Sequence, residues 1–558
     1  MSFDKAGRDL LEIDGRMFAA KESIDSLHQE IAEFFYPERA NFTQEITYGQ
    51  EFASHLTDFY PVLVRRELGN AIGTMVRPAD REWFKAATSN PDVARRRGPS
   101  MFLEFMTTVN RSILYSNDSN YRKAASQNEH DFATFGMGWT QVSYNKARDN
   151  LMFRTHHGKD CAGSEGPDGR VDHVHRKCDM TAHAMAYWFG ESELPQPVKN
   201  ALKKKDTTSK FKLRHIFIPV DKYDPYRKFP KGAKWADVYV TEGGKILQEQ
   251  PAFTFDYIVP RWQTVSGAFY AVSPATIIAL PQARMIQRMM MSIIEAAEKT
   301  LDPPVIAMED VVTSPIDLSS RGVTYIDSEY DERLGPAIRT VDFGKNPGLG
   351  VDALTDARGL LADAFYINKL QPMASLQGRD ITAYQASQVV AEYIRNALPL
   401  FEPIEDEWTG RTLDLVTEKV MRAGGYGPVD ANGVPVDMPE ELLGQNLVYE
   451  FNNSLKEARD RQTINAYHES GELIAKAMQL DPTMVVEVDA RQSFRDAFQS
   501  VPGGHADWLV DAEQAAQSRA QAQAAQAQQS MMQQVGQGAE VAGQVGNAAQ
   551  QLQAAEVV

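Results

Sequence analysis

The sequence predicts an α+β protein, with helices and strands in separate stretches of chain rather than alternating along it. Three observations carry this. Apolar residues recur at steps of three and four through the first 129 residues, the period shifts toward two between about Trp139 and Pro260, and long helical patterns return from Pro274 onward.

Taken in order, Ile13, Met17 and Phe18 are followed by Ile24, Leu27, Ile31 and Phe34–Phe35, which predicts a helix from about Phe3 to Phe35 that Pro37 ends. A second helix is predicted from Phe59 to Met75, stopping at Arg77-Pro78, and a third from Pro99 to Glu129. Strands are read from WTQVSY, NLMFRTH, RVDHVHRK, FKLRHIFI, ADVYVTE and FTFDYIVP, all rich in β-branched and aromatic residues. Asp168-Gly169 supplies a two-residue hairpin turn before RVDHVHRK. Helix resumes over 274–301 and is ended by Asp302-Pro303-Pro304. A compact β insert (VIAMEDVV, then GVTYID, then acidic turns from Glu329 to Glu332) separates it from a helix over 351–370. A long helix from Ile381 to Ala423 follows, expected to kink at Pro399 and Pro403 and stopped by Gly424-Gly425. Residues 511–558 hold 14 Gln and 14 Ala, with no Pro and no aromatic residue. That composition admits a disordered tail, or a helix with few large apolar side chains of its own that needs identical neighbours.

A chain of 558 residues, 43% hydrophobic, is ample for a sizeable core and more than one domain. It is acidic, with 58 Lys and Arg against 75 Asp and Glu and a formal net charge of −17, which disfavours groove binding of nucleic acid through a basic footprint. Its short basic clusters, Arg95–Arg97 and Lys203–Lys205, read as solvated surface. Two cysteines make no disulfide framework and suit a reducing compartment, and MSFDKAGRDLLEIDGR lacks the apolar core of a signal peptide. The most apolar long run, Ala275 to Ala297, is interrupted by Pro281, Arg284 and Arg288, so the expectation is a soluble intracellular protein with no membrane association.

Catalytic signatures are missing. The nearest string to a phosphate loop, FGKNPGLG, places Lys345 too early and lacks the following hydroxyl; no G-x-G-x-x-G follows a strand, and neither H-E-x-x-H nor G-x-S-x-G occurs. Five of the 11 histidines and both cysteines fall between His156 and His183. Cys161, His173, His175 and Cys178 are the four that zinc chemistry would need, but their spacing fits no standard pairing, and Cys178 lies on the opposite strand parity from the two histidines. The carboxylates Glu405 and Asp406 sit in a helical pattern among polar neighbours. No metal, no cofactor and no enzymatic activity is expected. One stretch is left unexplained: NKLQPMASLQGRDITAYQASQVVAEYIRN, Asn368 to Asn396, interrupts helix with Pro372, Ser375 and Gly378 and then restarts it at once.

Several landmarks, in order, resemble the head-to-tail connecting (portal) protein family of short-tailed bacteriophages over roughly residues 5–530. They are LHQEIAEFFYPERANF; LGNAIGTMVRPADREWF, with Pro78, Trp83 and Phe84; FATFGMGWTQVSY, with Gly136 and Gly138; and GRVDHVHRKCDMTAHAMAYWFG, where His175 and Cys178 are departures. VPRWQTVSGAFYAVSPA adds Arg261, Trp262, Ser273 and Pro274; DITAYQASQVVAEYIRNALPLFEPIEDEW adds Thr382-Ala383; and DARQSFRDAF leads into the Gln/Ala tail.

The resemblance implies a ring, commonly of twelve subunits, at one capsid vertex. It implies a portal fold: a β-containing wing over 1–273, a stem of two helices at 274–301 and 351–370, a clip at 302–350 and a tunnel loop at 371–381. A long wing helix and wing return would fill 382–450, a helical crown 451–510, and a helical barrel or tail 511–558. Ser375, Leu376, Gln377, Gly378 and Arg379 would then stand in a DNA channel, which accounts for the broken helix. Asp327, Glu329, Asp331, Glu332 and Arg333 would contact the large terminase subunit and later the tail adaptor or nozzle proteins. Arg284, Met285, Arg288, Met289 and Ile293 would form the ring interface; from periodicity alone this band is equally a plain core helix. Further implied partners are major capsid and scaffold or internal core proteins, and double-stranded DNA passing without sequence reading. The implied location is the virion, after assembly in the host cytoplasm. Two other readings stand beside it: a zinc-stabilised nucleic-acid-processing enzyme centred on His156–His183, and a different helical tail or internal structural protein.

Overall fold

The computed structural model describes residues 3–47, 49, 51–78, 82–94, 96–145, 147–223, 228–317, 323–331, 333, 335–341, 348–367, 404–428, 438–451, 466–476, 493–494, 497–498, 510, 515 and 517–525. The chain divides into two compact units. The first comprises residues 1–83, 110–420 and 453–455, and the second 84–109, 421–452 and 456–558.

Along the chain the helices are α1 (Phe3–Phe35), α2 (Tyr60–Val76), α3 (Pro91–Ala94), α4 (Arg97–Tyr115), α5 (Tyr121–Phe135), α6 (Ala182–Phe189), α7 (Gln196–Lys203), α8 (Leu280–Leu301), α9 (Gly348–Ala364) and α10 (Arg411–Arg422). The strands are β1 (Phe84–Thr88), β2 (Thr140–Asn145), β3 (Asn150–Thr155), β4 (Cys161–Glu165), β5 (Val171–Thr181), β6 (Lys210–Pro219), β7 (Trp235–Thr241), β8 (Ile246–Ala252), β9 (Tyr257–Ile258), β10 (Val305–Ala307), β11 (Ile338–Thr340) and β12 (Leu447–Phe451). This is the α+β class that the period change predicts.

Helix α1 has its predicted bounds, and Leu10, Ile31, Ala32 and Phe35 are buried along it. The helix expected over Pro99–Glu129 is two helices. The run Ser116–Asn120 breaks it: Ser119 Oγ donates to Leu114 O at 2.6 Å, and Asn120 adopts φ 56°. Short polar side chains offer the backbone an alternative to the helical ladder, and Asn tolerates the left-handed region. Helix α5 ends at Gly136, φ 76°, where a Cβ would sit 2.8 Å from the Val272 carbonyl carbon. At Gly138 a Cβ would lie 1.8 Å from Asn128 Oδ1. Both positions require glycine for the sharp passage from helix to strand.

The first unit is built on two sheets, a three-stranded β3-β2-β9 and a five-stranded antiparallel β4-β5-β6-β7-β8. Alternation along β5 and β6 divides the larger sheet into two faces. His175, paired with Ile216, lies on the face where Ile216, Ile218, Val238 and Val240 pack with Leu10 of α1. Val174, paired with Phe217, lies on the other, where Cys161, Phe217, Phe255, Tyr257 and Trp139 form a second cluster. Strands β5 and β6 are joined by α6 and α7, which close a third cluster around Met185, Leu194, Val198 and Leu213.

In the second unit β1 pairs antiparallel with β12. Ala86 N donates to Thr107 Oγ1 at 2.9 Å, which ties the strand to the middle of α4, and Arg96 pairs with Glu441 at 3.6 Å. Residues 466–476 are helical in this unit.

At least six histidines of the first unit, His28, His130, His156, His157, His173 and His215, are pushed toward the neutral form by desolvation. Desolvation pushes the imidazoles of His28 and His173 down to about 3, and that of His130, beside Arg65 and Arg66, to about 4. An unfolded histidine titrates near 6.5, so below that pH the unfolded chain binds more protons and stability falls as pH drops. Asp256 opposes this: burial raises its carboxyl to about 6, so the folded state takes up a proton there and gains stability as pH falls. Over pH 7 to 5.5 each histidine costs on the order of 1 kcal/mol and Asp256 returns about that for a single site. The melting temperature is therefore expected to fall by several degrees across this interval in thermal scans. A flat or rising profile would contradict the assignment.

Candidate functional site

The helical hairpin α8–α9 is entered through Ser273, whose Oγ donates to Thr134 O at 2.7 Å, and Pro274. Residues Ala275–Ala279 then wind as one π-helical turn before α8 proper. Ala275 and Ala279 form the buried side of this wider turn, while Ile277 and Ile278 on its other side are exposed.

The proximal part of the hairpin is locked to the loop before α2. From α8, Gln287 Oε1 accepts from Thr57 N at 2.8 Å and Asp58 N at 3.0 Å, while its Nε2 donates to Asp58 O at 2.6 Å. From α9, Arg358 Nη2 donates to Asp58 Oδ2 at 2.7 Å, and that carboxylate is buried. Leu354, Ala357, Leu361 and Phe365 form the buried side of α9, with Phe365 tilted on Phe35 of α1 at 5.4 Å between centroids.

Beyond this anchor α8 loses its cover. Ile286 is its last buried residue, and Met291, Ile294 and Leu301 are 55%, 39% and 87% exposed. All five residues expected at a ring interface, Arg284, Met285, Arg288, Met289 and Ile293, line a single groove of about 830 Å³ with Pro281, Ser292, Ala296 and Gly350. Arg284 is held within its own chain by Glu30, Nε to Oε1 at 2.7 Å. Arg288 is exposed. The anchoring residues Gln287, Asp58 and Arg358 went unread in the sequence, since polar residues on helices carry no signal of what they meet.

The insert between the helices has little core. Strands β10 and β11 pair over three residues, Val312 bridges Ile326, and Ala337 is its single buried apolar residue among those described. Ile306, Met308, Ile316, Val323, Tyr325 and Ile326 are exposed. Of the expected clip contacts, Asp327 Oδ1 accepts from Glu329 N at 3.1 Å and Asp331 Oδ1 from Arg333 N at 3.0 Å, so both aspartates shape successive turns. Glu329 and Arg333 are exposed, and Glu332 lies outside the described residues. The tunnel-loop residues Ser375, Leu376, Gln377, Gly378 and Arg379, and the kinks at Pro399 and Pro403, also lie outside them.

What flanks that segment is well defined. Arg261 is 4% exposed and forks onto Glu407, with Nε to Oε2 at 3.1 Å and its backbone N to Oε2 at 3.0 Å. It also pairs with Glu165, and its Nη2 donates to Gly169 O at 2.9 Å. The adjacent Trp262 packs on Phe132 at 5.0 Å and on Tyr366 at 6.1 Å, and Trp408 packs on the same Phe132 at 5.3 Å. Tyr366 follows α9 at φ 58°, and residues 405–410 form a second π-helical turn leading into α10. Asp406, considered as half of a carboxylate pair, makes an exposed ion pair with Arg170 at 3.5 Å.

The four candidate zinc ligands do not converge. Cys161 lies opposite Arg176, on the face of Val174 and Phe217. His173 and His175 point to the other face, where His173 Nε2 is 2.8 Å from His175 Nε2 and His175 Nδ1 is 3.0 Å from Asp14 Oδ1. Asp14 is shared with Arg214 at 2.8 Å, so the histidines belong to a buried hydrogen-bonded chain between α1 and the sheet. No group of three or more His, Cys, Asp or Glu among the described residues is placed to hold a metal ion.

The arrangement is that of a structural part, a helical hairpin with an uncovered tip mounted on a braced β-containing body. A model of the family described as bacteriophage head to tail connecting protein matches residues 10–509, and the chain belongs to that family. It is similar to the portal protein of Salmonella phage epsilon15, at 23% identity over 522 residues that span 91% of this chain and 90% of the relative. A solved structure described as the neck of an empty GTA particle computed with C6 symmetry covers 75% of this chain and 90% of its own, at 10% identity and a TM-score of 0.30. The chain functions as a portal-type connector between head and tail.

Removing one partner of a buried ion pair leaves an uncompensated charge, at a cost of about 3 kcal/mol or more. Arg261→Ala is accordingly expected to lower unfolding stability by about that amount, and Arg261→Lys by less, because it keeps the charge but loses the fork. Denaturant titration of the three proteins checks this; a loss under about 1 kcal/mol for alanine would rule out a bracing role.

Proposed function

We propose that copies of this chain close into a ring at one capsid vertex, with about twelve subunits related by a single rotation axis. The observation that supports this most directly is the uncovered distal half of α8. A helix with Met285, Met291, Ile294 and Leu301 in water needs a partner surface, and in a ring the next subunit supplies it. The groove that holds Arg284, Met285, Arg288, Met289 and Ile293 is then filled by the neighbour, where adaptable methionines suit a contact repeated around the axis.

The insert 302–350 would be the clip, meeting the large terminase subunit during packaging and the tail adaptor or nozzle afterwards, with Glu329 and Arg333 available for charged contacts. A two-stranded ladder of three pairs is marginal alone, and such partners would stabilise it. The segment 371–381 would project into the channel. Major capsid and scaffold or core proteins would meet the wing or the crown, after assembly in the host cytoplasm. The part is not an enzyme in this reading, and a predominantly acidic chain keeps double-stranded DNA from adhering as it passes.

The stem interface is tested by Met285→Asp/Met289→Asp. Native mass spectrometry is expected to show a closed ring for the parent protein and subunits or small oligomers for the variant. Its thermal unfolding should resemble that of a dissociated parent subunit. Equal ring formation by both proteins would remove the groove from the interface.

A further inference from the structure

The chain is acidic overall, yet its β5–β6 connection inverts that balance. From residue 196 to 214 a single carboxylate, Asp206, stands among seven lysines and arginines. Three of the seven are accounted for by neighbours, the first being Lys199, whose Nζ donates to Ser192 O at 2.9 Å. Arg214 is drawn inward to Asp14 at 2.8 Å, and Lys212 lies opposite Asp179 across the ladder. Lys203, Lys204, Lys205 and Lys210 are exposed, and none makes an ion pair among the described residues. Asp206 is fully engaged elsewhere. Its Oδ1 accepts from Thr208 N at 2.9 Å and Ser209 N at 3.0 Å, and its Oδ2 accepts from Ser209 Oγ at 2.5 Å. The one local carboxylate thus shapes the loop and leaves the lysines uncompensated.

A second observation is independent of charge. Helix α7 closes with a Schellman pattern: Lys205 N donates to Leu202 O at 3.0 Å and Asp206 N to Ala201 O at 3.0 Å. The pivot of that pattern takes left-handed backbone and is ordinarily glycine. Here it is lysine, Lys205 at φ 56°. A strained backbone at a position where glycine fits better indicates that the side chain, not the turn, is what the position supplies.

We propose that Lys203, Lys204, Lys205 and Lys210 form a binding site for the phosphate backbone of double-stranded DNA, on the surface of the body and separate from the channel. The surroundings favour DNA over an acidic protein. Thr207 is exposed between the lysines and adds a hydroxyl donor suited to a phosphate oxygen, beside Thr208 and Ser209, whose hydroxyls donate to Asp206. Among the described residues no large apolar side chain is exposed between Tyr187 and Val265, so the patch lacks the apolar centre of a protein interface. Point-charge ammonium groups with no arginine fork and no base-reading element give contact without sequence preference.

The test uses the full-length protein in its assembled state and covalently closed circular duplex DNA, which cannot thread a closed ring, so channel contacts do not enter the readout. Binding is measured by gradient co-sedimentation at several salt concentrations. Lys203→Glu/Lys204→Glu/Lys210→Glu is expected to weaken binding at least about tenfold near physiological salt and to flatten the salt dependence. Lys205→Gly separates the site from the fold: it should weaken binding a few-fold while the melting temperature holds or rises. Unchanged circular-DNA binding in the triple variant overturns the proposal. So does a Lys205→Gly protein that melts lower, which would make the lysine a structural choice. If the triple variant binds DNA normally but fails to enter procapsids, the patch serves an acidic protein and the proposal is likewise wrong.

Discussion

The junction of α5, the β4–β5 hairpin and the π-helical turn before α10 rests on one buried guanidinium. Arg261 is removed from water, so its charge must be compensated locally, and Glu407 and Glu165 do this from distant parts of the chain. Its backbone bridges Met137, the next residue bonds to Gly136 O, and its remaining donor closes on Gly169 O. One dipeptide, Arg261-Trp262, thereby joins the end of α5, the β4–β5 hairpin, the residue after α9 and the π-helical turn before α10. Because Tyr366 and Trp408 both reach it through aromatic contacts, the segment between them leaves and returns at one braced point.

The stem divides the same way into braced and unbraced parts. Gln287 and Arg358 grip one loop, residues 57–58, from the two helices of the hairpin, and Ile286 marks the limit of burial on α8. Past that limit neither the helix nor the insert buries enough apolar surface to be stable by itself. Folding of the tip is consequently linked to association: whatever covers Met291, Ile294 and the β10–β11 ladder stabilises their folded form by mass action.

How much of this could be read from the sequence depends on whether a feature is periodic or long-range. The bounds of α1, the strands β2, β3, β5, β6 and β7 and the position of the turn at Asp168-Gly169 follow from local periodicity or turn chemistry, and they are where it places them, whereas the apolar band on α8 reads from periodicity equally as a plain core helix. Strand β1 pairs with β12, Ala86 standing opposite Tyr449 at 363 residues' separation, a pairing that no window reveals. The Ser116–Asn120 break was masked by helical patterning on both sides, and the two π-helical turns have no sequence signature in single residues. The histidine cluster misleads for a related reason: residue types announce metal chemistry, while the two sheet faces that separate Cys161 from His173 and His175 emerge only from strand register.

Electrostatics then has two scales in this molecule. The net charge of −17 sets a long-range repulsion toward phosphate that favours free passage of DNA. Screening confines any local exception to about a Debye length, roughly 8 Å at physiological ionic strength, so a lysine cluster on one loop does not cancel that repulsion elsewhere on the chain. The loop around Asp206 carries four lysines between residues 203 and 210 while its own carboxylate is turned to Thr208 and Ser209. Conduction and retention of the same polymer are contradictory demands on a uniform surface. They become compatible when the attractive charges are few, local and carried on an element other than the stem, which is how the β5–β6 connection is built.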